Sequence, residues 1–236
     1  MSIPTETSPN GFFGPKARKI VRASCAVLTD PLVLGDGTRL RFRPIAPDDR
    51  DRLAGLLARL TPESRRGRFL SPKPKLTPRE LAFLTDIDHV GHEAIAAVDQ
   101  RDGSIVAVAR YVRVADRVGV ADVAAVVADD LQNMGIGIEL AKRLLERAQA
   151  NGFTLLIATT LWENRPARAL LRRLGFRVCA SRGSEIELEL QPATHERAAG
   201  EGIGLSSAVS RSGSVPCFRT AMTTHDRTTS RVLETT

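Results

Sequence analysis

The chain has 236 residues, 42% of them hydrophobic and 26% charged, with a formal net charge of +7. That length allows one large or two small domains. No apolar run approaches the ~20 residues of a membrane-spanning helix, and the first thirty residues lack the apolar core of a secretory leader. Cys25, Cys179 and Cys217 are scattered without metal-type spacing, and an odd number argues against a disulfide framework. A reducing, cytoplasmic setting is the simplest expectation. His89, His92, His195 and His225 form no metal-like set, so no metal is expected. The positive charge is diffuse: four Lys/Arg face two Asp/Glu before residue 31, five face four after residue 191, and acids interleave with bases between. With no recognition-helix pattern and few aromatic residues, neither nucleic acid nor a membrane is an expected partner.

Residues 1–30 carry Pro and Gly punctuation without a clear period and are expected to be a poorly ordered extension. One domain is expected over 31–191. "GTRLRFRPI" alternates apolar and polar residues and predicts a strand over 38–45, followed by a helix in "APDDRDRLAGLLARL" with acids in its first turn. "TPES" and "TPRE" each set a capping Thr before a Pro, and Thr77 with Glu80 makes a capping-box pattern. "EAIAAVD", "SIVAVARYVRV" and "VGVADVAAVVA" predict three strands in series. A helix follows over about 135–150, with Ala141, Leu144, Leu145 and Ala148 as its apolar stripe. "FTLLIATTL" predicts a strand, "NRPARALLRRLGF" a helix and "SEIELEL" a last strand. The resulting order, β-α-α-β-β-β-α-β-α-β, predicts an α/β (α+β) domain with a mixed central sheet flanked by helices. From 192 to 236 the chain turns Ser/Thr-rich, predicting a disordered, dispensable tail.

In "DDLQNMGIGIEL", Gly135 and Gly137 stand where an apolar strand ends and a helix starts. Two readings are open: a tight strand-to-helix turn, or an anion site in which a ligand approaches uncovered N–H groups at the positive end of the helix. A third glycine at G-x-G-x-x-G spacing is absent, position 140 being Leu, and no Gly-Lys-Ser/Thr follows, so dinucleotide and P-loop sites are excluded.

"QNMGIG", together with the element order, resembles the Q/R-x-x-G-x-G/A loop of GNAT-type N-acetyltransferases. "ENRPARALLRRLGF" is similar to that family's second motif. "LTPESRRGRFLSPKPKLTPRELAFLTDID" resembles a segment of the GNAT domains of bacterial protein lysine acetyltransferases. The resemblance covers about residues 38–191 and implies a single GNAT-like domain with acetyl-CoA as co-substrate. It implies that Gln132, Asn133, Met134, Gly135, Ile136 and Gly137 cradle the pyrophosphate through their N–H groups, and that the backbone of Val126 and Val127 pairs with the pantetheine amides. Met134 stands where the family usually has Arg. Asn164 is implied to reach the coenzyme, and equally suits a plain helix N-cap. Relatives of this kind often carry an attached nucleotide-binding domain. Neither end of this chain has the size or apolar content for one, so any nucleotide control is expected from a separate protein.

Acetyl transfer to an amine needs the amine neutral, aligned on the thioester and relieved of its proton. Asp122, the one ionisable group in "VGVADVAAVVA", is the expected general base. It lies ten residues before Gln132, where the similar lysine acetyltransferases carry a Glu, and is one methylene shorter. The alternative is an Asp at a strand edge facing solvent. Glu93 is a second candidate. The family's general-acid Tyr is replaced by Leu171, while the only Tyr, Tyr111, is expected in the core or at an edge. Trp162 and Cys179 are expected to pack. The acceptor is expected to be a protein lysine, with a small amine, or binding of an acyl-CoA without turnover, as alternatives.

Overall fold

The computed structural model describes residues 30–71 and 75–192, so the expectations for residues 1–29 and 193–236 lie outside the described residues. The strands are β1 (Leu32–Val33), β2 (Arg39–Pro44), β3 (His92–Asp99), β4 (Ile105–Arg113), β5 (Val120–Val127), β6 (Leu155–Leu161), β7 (Arg177–Arg182) and β8 (Glu185–Leu190). The helices are α1 (Arg50–Ala58), α2 (Pro62–Phe69), α3 (Pro78–Thr85), α4 (Ile136–Ala150) and α5 (Arg165–Arg173). One sheet runs β1-β2-β3-β4-β5-β6-β8-β7, antiparallel throughout except where β5 pairs β6 in parallel. This is the expected mixed sheet, with two differences. Three helices rather than two separate β2 from β3, and the sheet gains the two-residue β1 and the edge strand β7.

The start signals act as read from sequence. Thr61 Oγ1 accepts the Ser64 N–H at 3.2 Å to cap α2, and Thr77 and Glu80 close their capping box at the head of α3. Burial is two-sided. Ile136, Leu140, Leu144 and Ala148 of α4 pack on one face of the sheet against Leu40, Phe42 and Ile95. Leu53 and Leu56 of α1 pack on the other face against Ala94, Ala96 and Val108. Each fully buried Leu contributes roughly 1.5–3 kcal/mol. The middle strands β3 and β4 are therefore buried on both faces, which is why "AIAAV" and "IVAVA" read as nearly unbroken apolar runs. Tyr111 is fully buried, its ring edge-on to Phe153 at 4.9 Å.

Glu93 belongs to this scaffold. It is 0% exposed, and its carboxylate accepts from Arg147 Nε at 2.5 Å and from the Ala94 N–H at 2.9 Å, with His89 Nδ1 at 2.8 Å. It shares strand parity with Ile95 and Ala97, on the face that α4 covers. That pairing occupies the second candidate base on the far side of the sheet from the groups described next.

Candidate active site

Parallel pairing of β5 with β6 covers only Val120 with Leu155, Ala121 with Leu156 and Asp122 with Ile157. Beyond these pairs β5 stays laddered to β4 as far as Val127, and β6 stays laddered to β8 as far as Leu161. The strands therefore diverge, and Asp122 is the last β5 residue paired before the cleft opens. Helices α4 and α5 start beyond the ends of these two strands, so both helix N-termini flank the mouth. Open α/β sheets bind ligands at such carboxyl ends.

Asp122 opens onto the cleft and is solvent-exposed there. Protein packed around it nevertheless pushes its pKa up to about 6. Arg68 opposes that shift, Glu187 adds to it, and the Val123 N–H opposes it. Water reaching the carboxylate along the cleft limits the desolvation. Alternation puts Asp122 on the face of Val126, which packs toward Leu57, Leu81 and Leu84 of α1 and α3.

The same alternation sorts the two strand residues expected to pair with a ligand. The Ala128 N–H donates to Val106 O at 2.8 Å, which assigns the N–H and C=O of Val126 to the β4 ladder and turns those of Val127 and Ala125 toward the cleft. Val127 O accepts from Gln132 Nε2 at 3.3 Å, on that cleft side. Of the expected pair, Val127 turns its backbone to the cleft, with its carbonyl already bonded to Gln132, and Val126 offers only its side chain.

The two glycines have different physical reasons. Gly135 is the N-cap of α4 at φ +83°, a left-handed conformation that side-chain-bearing residues rarely adopt, and a Cβ there would meet no atom within 4 Å. Gly137 is helical, and a Cβ would lie 3.4 Å from Leu170 and 3.7 Å from Val127. No side chain caps α4, so its first N–H groups, from Ile136 on, are uncovered. Asn133 also has a positive φ, +63°, Met134 is exposed, and the Ile136 side chain is buried, so only backbone from Ile136 can reach a ligand.

Gln132 does something its motif does not announce. Its Nε2 donates to Asp129 Oδ1 at 2.7 Å, and Asp129 also accepts the Thr61 N–H at 2.5 Å and the Ser64 hydroxyl. At the other wall, Arg66 pairs with Glu163 at 3.0 Å, and a Cβ on Gly67 would lie 2.8 Å from Asn164 Nδ2. Helix α2 thus bridges the cleft mouth, tied to the glycine loop at one end and to the β6–α5 turn at the other. Asn164 caps α5, its Oδ1 accepting the Ala167 N–H at 3.1 Å. Sequence reading missed Asp129 and Gly67; the acidic pair just before Gln132 was the available signal for the first.

Other expected positions fall as follows. Trp162 does not pack inward: it is 57% exposed, and the Arg168 guanidinium lies 4.0 Å over its ring. Cys179 is not in the core but half-buried on β7, the edge strand of the sheet among the described residues. Burial, then Glu189 and Glu187, push its thiol up to about 12, and Sγ donates to Glu187 O at 3.4 Å. Although Cys179, Glu187 and Glu189 bring ligand atoms within 4.8 Å of one another, the thiol is held protonated. Leu171 is partly buried against the α4-side core. Thr160 on β6 is 3% exposed, and its hydroxyl has no hydrogen-bond partner among the described residues. Among the described residues, no helix is long and apolar enough to cross a membrane.

A family model described as an acetyltransferase (GNAT) domain matches residues 39–177. The chain is 33% identical over 145 residues to acetyltransferase PA5475 of Pseudomonas aeruginosa, covering 61% of this chain and 77% of that protein. It is 30% identical over 166 residues to acetyltransferase Pat of Mycolicibacterium smegmatis, covering 70% of this chain but only 50% of the relative. The crystal structure of the GNAT domain of S. lividans PAT superposes with a TM-score of 0.64 at 26% identity, over 69% of this chain and 96% of that one.

Proposed function

From the premise that the chain belongs to the GNAT acetyltransferase family, we propose that it transfers the acetyl group of acetyl-CoA to the side-chain amine of a protein lysine, with Asp122 as general base. The observation that carries the reading is the position of Asp122, the last paired residue at the apex of two diverging strands. The cleft residues suit the coenzyme: uncapped N–H groups at the head of α4, open space at Gly135, and the cleft-facing backbone of Val127 and Ala125. The N–H groups of Asn133 to Gly137 hold the pyrophosphate, that of Gln132 being donated to Asp129 O at 3.4 Å, and Val127 takes the amide role. Asn164 serves chiefly as the α5 cap, with its Nδ2 beside Gly67. Bound there, acetyl-CoA supplies an activated acetyl group as a thioester.

The protein's own contribution is alignment and proton removal. A lysine amine has a pKa near 10.4 and is charged at neutral pH. A carboxylate lifted to about 6 is ionised at pH 7 yet basic enough to take the proton as the amine attacks. Being short, Asp122 takes it through one water, for which the solvent-open cleft leaves room. With Leu171 on α5, no side chain is assigned to protonate the departing thiolate. The lysine acceptor is supported by the 60–88 segment, which contains α2 and α3, and by the match to the S. lividans PAT domain.

The test uses radiolabelled acetyl-CoA with a cell extract, comparing the protein with Asp122→Asn matched for coenzyme affinity. Hydroxylamine-stable label in proteins, strongly reduced in the variant, supports the reading. Label confined to small molecules discards the lysine acceptor. Coenzyme binding without transfer discards catalysis altogether.

A further inference from the structure

Arg68 is a half-buried cation with no carboxylate in salt-bridge range among the described residues. It lines a narrow apolar cavity with Val108 and Phe69, and also with Val126, which shares the strand face of Asp122. The charge that Arg68 feels most from the opposite sign is that of Asp122. Behind it on β4 lies Arg110, 5% exposed, which donates to Leu84 O at 3.3 Å and meets His92 Nε2 at 3.1 Å. Burial, then Arg68, push Arg110 down to about 9, so it remains charged at neutral pH and repels Arg68 toward the cleft. Arg68 is thus the guanidinium that faces the Asp122 carboxylate, with Arg110 behind it. Among the described residues, the other groups around Asp122 offer no second cation: Val112 pairs with it on β4, Ile157 pairs with it on β6, and Glu187 faces it from β8 and repels it.

The backbone of α2 fixes where Arg68 stands. No α2 residue is fully buried, so polar ties hold the helix: Asp129 to Thr61 and Ser64, Arg66 to Glu163, and Arg65 Nε to Leu57 O at 3.1 Å. We propose that Arg68 is a positioning residue for the transfer reaction: carried over β5 by α2, its guanidinium holds the Asp122 carboxylate in the charged, proton-accepting form at the apex of the cleft. This rests on Asp122 acting as base. Without Arg68, only the Val123 N–H opposes burial and Glu187, and the carboxylate stays protonated over more of the neutral range.

Two readouts separate this inference from its premise. The Asp122 carboxyl is titrated by carbon NMR in coenzyme-free protein labelled at aspartate, its signal assigned by loss in Asp122→Asn. The pH dependence of kcat/KM is measured for the natural protein, Arg68→Gln, Arg68→Lys and Asp122→Asn. Arg68→Gln is expected to raise the Asp122 midpoint by about one pH unit. The acid limb of kcat/KM moves with it, activity at pH 9 stays within roughly threefold, and Arg68→Lys restores most of the shift. An unmoved midpoint, or a loss in Arg68→Gln equal at every pH, overturns the proposal. If Asp122→Asn keeps full activity and an unchanged profile, the base assignment falls, while a moved NMR midpoint still upholds the hold of Arg68 on the carboxylate.

Discussion

Asp129 and Asp130 are chemically identical neighbours, and the structure predicts very different consequences for losing each. Asp129 is half-buried and accepts three donors: the Thr61 N–H at 2.5 Å, the Ser64 hydroxyl and Gln132 Nε2 at 2.7 Å. Asp130 makes one ion pair, to Arg59 at 2.6 Å, with the two side chains 60% and 41% exposed. Hydrogen bonds to a charged acceptor are worth about 1.5–3 kcal/mol each, less where water can replace the acceptor. With partial exposure, Asp129→Ala is expected to cost about 2–3 kcal/mol in total, against about 0.2–1 kcal/mol for Asp130→Ala. Because Gln132 loses its anchor beside the glycine loop, coenzyme affinity is expected to fall about tenfold in Asp129→Ala, equivalent to ~1.4 kcal/mol. Urea unfolding measures the first effect and calorimetric titration with coenzyme A the second. Equal stability losses in the two variants, or a loss below about 0.5 kcal/mol for Asp129→Ala, would refute the claim that Asp129 couples α2 to the glycine loop.

The glycines give a second contrast. Gly135→Ala forces a side chain into the left-handed region, costing about 1–2 kcal/mol of stability and most of the coenzyme affinity. Gly137→Ala meets Leu170 only at 3.4 Å and gains up to about 1 kcal/mol of helix propensity, so it is expected to leave the urea midpoint nearly unchanged while weakening coenzyme binding. Glu93→Gln breaks the buried pair with Arg147 and is expected to cost about 3–5 kcal/mol in unfolding experiments. A variant that folds and transfers acetyl groups normally with under about 1 kcal/mol lost would contradict that scaffold role. His92 is held down to about 4, first by burial and then by Arg110. The unfolded chain, with His near 6.5, therefore binds the proton first as pH falls. Stability is expected to drop between pH 6.5 and about 4, and His92→Gln to flatten that slope in a pH series of urea midpoints.

What the sequence made legible follows physical range. Period-2 and period-3.6 patterns placed β2 to β6, α4, α5 and β8 because burial on those faces is decided within a few residues. β7 escaped because "RVCASR" lies at the sheet edge, largely exposed, where polarity keeps the strand from pairing further. Its one signal was the Gly183-Ser184 dipeptide, a two-residue hairpin turn before Glu185. The site was legible where its geometry is local, in the glycine loop and the lone acid of β5. It was illegible where α2 reaches across to residues 129 and 163: no periodicity links Ser64 with Asp129, 65 residues away in the chain. Asn164 illustrates the limit, since the same residue caps its helix and borders Gly67, and only the second fact needs the fold.

Asp122 is the point at which local and global demands conflict, and such conflicts mark functional positions. β5 is otherwise Val and Ala, and a carboxylate at the apex of the cleft costs the fold something at working pH. The sign follows from the shift. Asp122 titrates near 6 in the folded protein and at 3.8 when unfolded, so the folded state binds its proton more readily. Its contribution to stability is therefore full below pH 3.8, declines as pH rises to about 6, and is unfavourable and constant above. Asp122→Asn, which cannot ionise, is expected to raise the urea midpoint at pH 8 and leave it unchanged near pH 3.8, while abolishing most transfer. If the variant is no more stable at pH 8, the carboxylate sits as comfortably as any surface acid, and the strand-edge reading of Asp122 displaces the catalytic one.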